Sequence, residues 1–283
     1  MKNVLEHPEK VTDIMRGVAD TKILPRFRKL KTGDISEKKP GDLVTIADKE
    51  SERALSRYLK DLLPGSAVIG EEGYEADRLS LDLLNEPAPV WIVDPVDGTH
   101  NFAHGKTPFT VIIALVKKQE TLGGWIIDPM SGEAVWARHE GGAVLQDADG
   151  HVVEIQRPSR EFKQTTMTAG AKLRGRLERA GKELDMPIPR LIERYRCAGR
   201  EYMDIATGTL DMARYGGLLK PWDHAAGSLI VREAGGQADR IVSGEPYRVS
   251  SEIGTQSVGV AGSRAHWPEF HKLIKRTDEL ISH

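Results

Sequence analysis

The sequence predicts an α+β fold, and three stretches carry that prediction. An opening segment shows helical apolar periodicity, a middle section is a succession of strand-length apolar runs, and from about residue 157 helix and strand patterns mix. No internal repeat, low-complexity tract or long linker divides the chain. Residues 1–283 therefore read as one domain with two pseudo-layers, about 1–150 and 151–283.

In the opening segment Val11, Ile14, Met15, Val18, Ile23, Phe27 and Leu30 recur at helical spacing, with Pro25 as a kink or break. The polar stretch KTGDISEKKPGD follows, and from Lys31 to Asp42 it reads as a cation-bearing lid loop containing Lys38, Lys39 and Gly41. A second helical pattern through Ala54, Leu55, Tyr58, Leu59 and Leu62 stops at Pro64-Gly65. The short strand AVIG leads directly into Glu71-Glu72. VWIV (90–93) is a buried strand ending on Asp94-Pro95, and TVIIALV (110–116) is another. WIIDPMSGEAVWAR reads as two strands turning at Ser131-Gly132, and GGAVL adds one more. Further helices are expected near 170–182, 200–209 and 223–234, the last closed by Gly235-Gly236.

With 40 basic and 42 acidic residues the formal net charge is −2, so no global field draws the chain to nucleic acid or an anionic membrane. Charged residues at 29% and hydrophobic ones at 39% fit a soluble globular protein. Cys197 is the only cysteine, which excludes an intrachain disulfide and suits a reducing cytoplasm. No apolar run approaches the roughly 20 residues of a membrane helix, and the N-terminus lacks the apolar stretch of a signal peptide.

Candidate chemistry concentrates in WIVDPVDGTHNF. A buried strand delivers Asp94 and Asp97, followed at once by Gly98-Thr99, whose amides could receive phosphate oxygens. Two carboxylates beside an anion cradle repel phosphate unless cations lie between them. Glu71, at the end of its own strand, and Asp223, at the N-cap position of a helix, would complete a set of hard oxygen ligands suited to Mg²⁺. Each residue also has an ordinary reading: Asp-Pro as a turn, Asp223 as a helix cap, paired glutamates as a solvated surface. It is their joint appearance that points to a site.

The stretches IGEEGY, WIVDPVDGTHNF and PWDHAAGSLIVREAGG resemble, in order and spacing, the three signature motifs of the inositol monophosphatase family, within the group that includes fructose-1,6-bisphosphatases. GDLVTIADKESE resembles the family's N-terminal motif, with Asp48 at its aspartate position, and RHEGGAVL its central hairpin; together they span roughly residues 38–236. The resemblance implies a layered α-β-α-β-α sandwich, a homodimer, and two to three Mg²⁺ ions. Glu71, Asp94 and the Val96 carbonyl would hold one ion, Asp94, Asp97 and Asp223 a second, and Glu71 would help hold a weaker third. Gly98 and Thr99 would bind phosphate through their amides. Thr99 with Asp48 would orient and help deprotonate the attacking water, so that Asp48, Glu71 and Thr99 form the catalytic set. The implied reaction is direct in-line attack of a metal-activated water on a small phosphate monoester, with no phosphoenzyme.

Other phosphatase designs fail on spacing. The aspartates of DPVDGT are three apart, not two as in D-x-D-x-T, and the residue six after Cys197 is Met203, not the arginine of C-x5-R. Cys197 is read as a packing or pocket-wall residue. The substrate wall departs from the family: Gly216 stands where an acidic residue usually contacts sugar hydroxyls, and Arg196-Cys197-Ala198-Gly199 replaces a small G-S-A-A stretch. Arg196 could pair with a second anionic group or be a surface arginine without a ligand role, and His100 is read as a surface residue. Inositol-1-phosphate or a related polyol phosphate comes first as substrate. Histidinol phosphate, fructose-1,6-bisphosphate or a phosphoadenosine nucleotide follows, and a regulatory interaction protein on the same fold is the non-enzymatic alternative.

Overall fold

The amphipathic opening folds as α1 (Lys2–Glu6) and α2 (Glu9–Val18) in a computed structural model that describes residues 1–280. Val11, Met15 and Val18 line one buried face of α2. The break expected at Pro25 comes earlier. After Val18 the chain widens into a π-helical turn, Ala19–Ile23, and then tightens into a 3₁₀ turn, Leu24–Arg26, that contains Pro25. A proline removes its own N–H and clashes with the carbonyl four residues back, so the α-helical ladder yields before the ring is reached. The expected lid loop is ordered as a hairpin, β1 (Ile35–Lys39) with β2 (Asp42–Thr45). Thr45 caps α3 (Ile46–Leu62) by accepting the Ala47 amide, while the Asp48 carboxylate accepts the Thr45 amide at 2.8 Å.

Seven strands form the larger sheet in sequence order: β3 (Ala67–Gly70), β4 (Val90–Asp97), β5 (Thr110–Lys117), β6 (Glu120–Ile127), β7 (Ala134–Arg138), β8 (Ala143–Gln146) and β9 (Val152–Glu154). Only β3 and β4 are parallel. The short helices α4 (Glu71–Ala76) and α5 (Thr99–Ala103) follow β3 and β4. The smaller sheet has β10 (Thr166–Thr168), β11 (Arg190–Ile192), β12 (Met212–Leu218), β13 (Gln237–Arg240) and β14 (Thr255–Ala261), ordered β11-β10-β12-β14-β13. Interleaved with it are α6 (Ala171–Leu184), α7 (Ala198–Thr207), α8 (Pro221–Glu233) and α9 (Trp267–Glu279).

The apolar runs of β4, β5 and β6 lack a polar alternation because both of their faces are covered. Trp91, Val93, Val111, Ile113, Leu115 and Trp125 pack beneath α2 and α3, while Ile92, Ile112, Ala114 and Ile126 face α7 and α8. α7 and α8 lie between the two sheets, and α6 and α9 cover the outer face of the smaller one. The result is the expected α-β-α-β-α order. α8 approaches β6 closely enough that a Cβ on Gly124 would stand 2.8 Å from the Ala226 Cα.

Candidate metal and phosphate site

The parallel pairing of β3 and β4 places their carboxyl ends together. Gly70 is registered with Val93, which brings Glu71, the first residue of α4, beside Asp94. The β4–β5 ladder is interrupted between Asp94 and Asp97, and in this irregular stretch Asp94 Oδ1 accepts the Val96 amide at 3.1 Å while the Val96 carbonyl accepts the Thr99 hydroxyl. Gly98 follows with φ 86°, a conformation costly for any residue with a Cβ, and a Cβ here would lie 3.0 Å from the Pro108 carbonyl. Asp223 arrives from the N-terminal turn of α8. It is not the N-cap expected from sequence: Pro221 begins the helix and Lys220 is the N-cap, because proline is favoured at the first helical position.

Thr99 Oγ1 lies 3.0 Å from Asp48 Oδ1 and 2.8 Å from the Val96 carbonyl oxygen, so the N-terminal motif and the β4 loop meet at this hydroxyl. Asp97 Oδ2 accepts the Gly199 amide at 2.6 Å, the Thr110 hydroxyl at 3.1 Å and the Cys197 thiol at 3.1 Å. Asp97 therefore also closes the N-terminus of α7, a role its sequence position did not reveal.

Electrostatically the site is overloaded with negative charge. Burial first, and then Glu71, Asp97 and Asp223, push Asp94 well above the usual carboxylate range. Burial and Glu71 do the same to Asp223, with Lys220 opposing. Burial also raises Asp97, against its hydrogen bonds from Cys197, Gly199, Ala198 and Thr110. Asp48 is raised to about 7, chiefly by burial, despite its bonds from Thr45. Two ammonium groups partly relieve this set. Lys38 Nζ lies 3.2 Å from Glu71 Oε1 and 2.6 Å from Glu72 Oε1, and Lys220 Nζ lies 3.1 Å from Glu71 Oε1. Converging hard oxygen donors that repel one another and draw in cations are the donor set that a divalent ion such as Mg²⁺ fits.

Beyond the carboxylates opens a cavity of about 590 Å³ lined by Asp223 at one side and by Arg196, Cys197, Ala198, Tyr215 and Gly216 at the other. Cys197 is buried, and burial together with Asp97 raises its thiol well above the ordinary value, so it is a wall residue and not a nucleophile. Gly216 leaves room that the Arg214 guanidinium fills: a Cβ there would fall 2.2 Å from Arg214 Nη1, and Arg214 pairs with Asp278 at 2.7 Å.

The family model of the inositol monophosphatase family matches residues 8–280. The chain belongs to that family. With it, the chain falls among the phosphoric monoester hydrolases. It is similar to an inositol-1-monophosphatase of Bacillus subtilis, 30% identical over 241 residues that cover 83% of each chain. It is also similar to a protein of Xylella fastidiosa named Nus factor SuhB, 32% identical over 219 residues covering 76% of this chain and 74% of that one. Among solved structures, an IMPase of Thermotoga maritima superposes with a TM-score of 0.76 at 22% identity, covering 98% of this chain and 99% of that chain. Inositol monophosphatase-II of Staphylococcus aureus gives 0.70 at 23% identity, covering 99% and 100%. These two likenesses concern the fold.

One cation at the site, Lys220, was not singled out from sequence. Lys220 announces itself only as the residue before PWD. His100, read from sequence as a surface residue, is partly exposed; it stacks on His104 with ring centroids 4.4 Å apart, and its Nε2 lies 3.4 Å from Arg196 Nη1 at an exposed contact. Elsewhere, Asp147, Asp149 and His151 have potential ligand atoms within 4.8 Å of one another. There Asp147 Oδ1 accepts the Asp149 and His151 amides, the ordinary work of a turn between β8 and β9. No helix among the described residues is long and apolar enough to cross a membrane.

Proposed function

We propose that this chain is a Mg²⁺-dependent phosphomonoesterase acting on a small phosphorylated sugar or polyol by direct attack of water. The observation that carries the reading is the convergence of Glu71, Asp94, Asp97 and Asp223 at the ends of β3, β4 and the start of α8, with charge only partly balanced by Lys38 and Lys220. Glu71, Asp94 and the Val96 carbonyl would hold one ion, and Asp94, Asp97 and Asp223 another, with two to three ions in all. When bound, such ions neutralise phosphoryl oxygens, acidify water and stabilise the departing alkoxide.

The protein's own groups supply the rest. The amides of Gly98 and Thr99 stand in the first turn of α5, where no preceding carbonyl of the helix accepts them, and are suited to phosphate oxygens. Thr99 Oγ1, held between Asp48 and the Val96 carbonyl, positions water and passes its proton toward Asp48. Asp48, raised to about 7 by its burial, accepts a proton far more readily near neutral pH than an exposed aspartate would. Cys197 and Ala198 flank the path from this end to the cavity wall. The assembly in this reading is a cytoplasmic homodimer, consistent with a single buried cysteine and no disulfide. Light scattering that returned a monomer would remove that element.

Phosphate release measured across inositol-1-phosphate, histidinol phosphate, fructose-1,6-bisphosphate and a phosphoadenosine nucleotide tests the reading. Mg²⁺ is titrated, Li⁺ is added as inhibitor, and Asp94→Asn serves as control. Mg²⁺-dependent release that Asp94→Asn abolishes is expected, and no release from any ester at any Mg²⁺ concentration would sink the enzymatic reading. The similarity to a protein named Nus factor SuhB motivates a second reading, a regulatory interaction protein on the same fold. Its sign would be metal-independent association with a transcription complex, unaffected by Asp94→Asn.

A further inference from the structure

The cavity beyond the carboxylates differs in charge from one built to read a neutral polyol. Its wall has a glycine and no acid at position 216; Arg214, which a Cβ there would meet, does not line the cavity and pairs with Asp278 of α9. Arg194 lines the cavity, but its charge is spent on the buried Glu201, 3.2 Å away. Glu193 is exposed, 3.8 Å from Arg174. Arg196 is different. Among the described residues no carboxylate lies within 4.0 Å of its guanidinium, and its neighbour is the His100 ring. His104 stacks behind His100, and Lys106 adds a third basic side chain near enough to disfavour charge on His100. The backbone of Arg196 is left-handed, φ 56°, a conformation residues with a Cβ keep only where the surrounding chain imposes it. The next two residues, Cys197 and Ala198, run straight to Asp97 and the start of α7.

Glu193 and Asp223 also line this cavity, but Arg196 is the cation of its wall with no carboxylate within 4.0 Å among the described residues, and that makes it a place for a second anion. We propose that the substrate carries a second anionic group, a carboxylate or a further phosphate, at the end away from the scissile ester, and that Arg196 binds it. This rests on the phosphomonoesterase reading. Its chemistry is charge-assisted hydrogen bonding from a planar guanidinium to two anionic oxygens. The cavity, about 590 Å³, is within the usual range for small-molecule sites and has room for a six-carbon chain with a charged group at each end.

The test holds carbon skeleton and scissile ester constant while changing the far end: sorbitol 6-phosphate, 6-phosphogluconate and sorbitol 1,6-bisphosphate, assayed for phosphate release with saturating Mg²⁺. The wild-type chain should favour at least one of the two charged esters over sorbitol 6-phosphate by about tenfold or more in kcat/KM, the scale of a charged hydrogen bond. Arg196→Ala should reduce that preference to near unity, with the loss in KM, and Arg196→Lys should restore part of it. Which charged ester gains more identifies the second group as carboxylate or phosphate. Turnover of sorbitol 6-phosphate equal to or better than both charged esters overturns this inference and leaves the phosphatase reading standing, as does a preference that survives Arg196→Ala. Absence of release from all three, and from p-nitrophenyl phosphate, overturns both together.

Discussion

The two ends of the pocket are built by opposite rules. At the carboxylate end Asp48, Glu71 and Asp94 are buried, and Asp97 and Thr99 have two or more fixed partners. At the far wall Arg196 is exposed, holds a left-handed backbone, and leans on a histidine instead of a carboxylate. Rigid, over-determined geometry suits a reacting group common to many esters, whereas a loosely partnered wall can be altered without disturbing it. In the proposed reading, reaction and specificity would then occupy different mechanical environments that meet at Asp223.

The sharpest way to break this comparison is Asp94→Asn. Removing the central carboxylate should lower kcat by about 10³-fold, the scale of losing a group on which transition-state charge stabilisation depends. The same variant should melt higher than the wild type in EDTA, since the cost of burying an ionisable carboxyl beside Glu71, Asp97 and Asp223 is gone. A calorimetric scan showing a lower melting point would contradict the electrostatic account. Thr99→Ala should cost about 10²-fold in kcat, in the range of general acid–base contributions, while Thr99→Ser retains most activity. Equal damage from both substitutions would assign Thr99 a packing role instead.

The smallest expected effect is on stability against pH. Asp48 and Glu52 are each raised to about 7, by burial above all, so both lie above their unfolded values. A carboxyl with a raised folded value contributes stability fully present below its unfolded value and loses it as pH rises through the folded one. The metal-free protein should therefore melt several degrees lower at pH 8 than at pH 5.5, on the scale expected of a one to few kcal/mol change. Mg²⁺ should recover part of the difference. Thermal melts in EDTA that are flat across this range, or that rise toward pH 8, would show that the carboxylates are not under the strain described.

Much of this was legible because the signals are local. Continuous apolar runs such as VWIV and TVIIALV identify doubly covered strands, and Asp94, Asp97 and Gly98 stand within one strand-to-helix turn. What stayed hidden depends on partners far along the chain. Lys38 and Lys220 reach Glu71 from positions 33 before it and 149 beyond it. Arg196 finds His100 across 96 residues, and Arg214 fills the space of Gly216 only because β12 puts both on one face. The early end of α2 was similarly invisible, since proline's effect is felt in the turn before it.

Asp97 joins the larger sheet to the helices behind it as well as belonging to the carboxylate set. Its Oδ2 holds the start of α7, about 100 residues away, by a bond to Gly199. Replacing Asp97 would thus unfasten the seam between the larger sheet and the helices behind it, and loss of activity in such a variant would mix chemistry with misassembly. Among the described residues Asp94 has no hydrogen bond to α7; its contact across the seam is with the Asp223 side chain at the start of α8, which an asparagine can keep. For anyone choosing an inactive form for trapping ligands or for cellular controls, Asp94 is the clean lesion and Asp97 the confounded one.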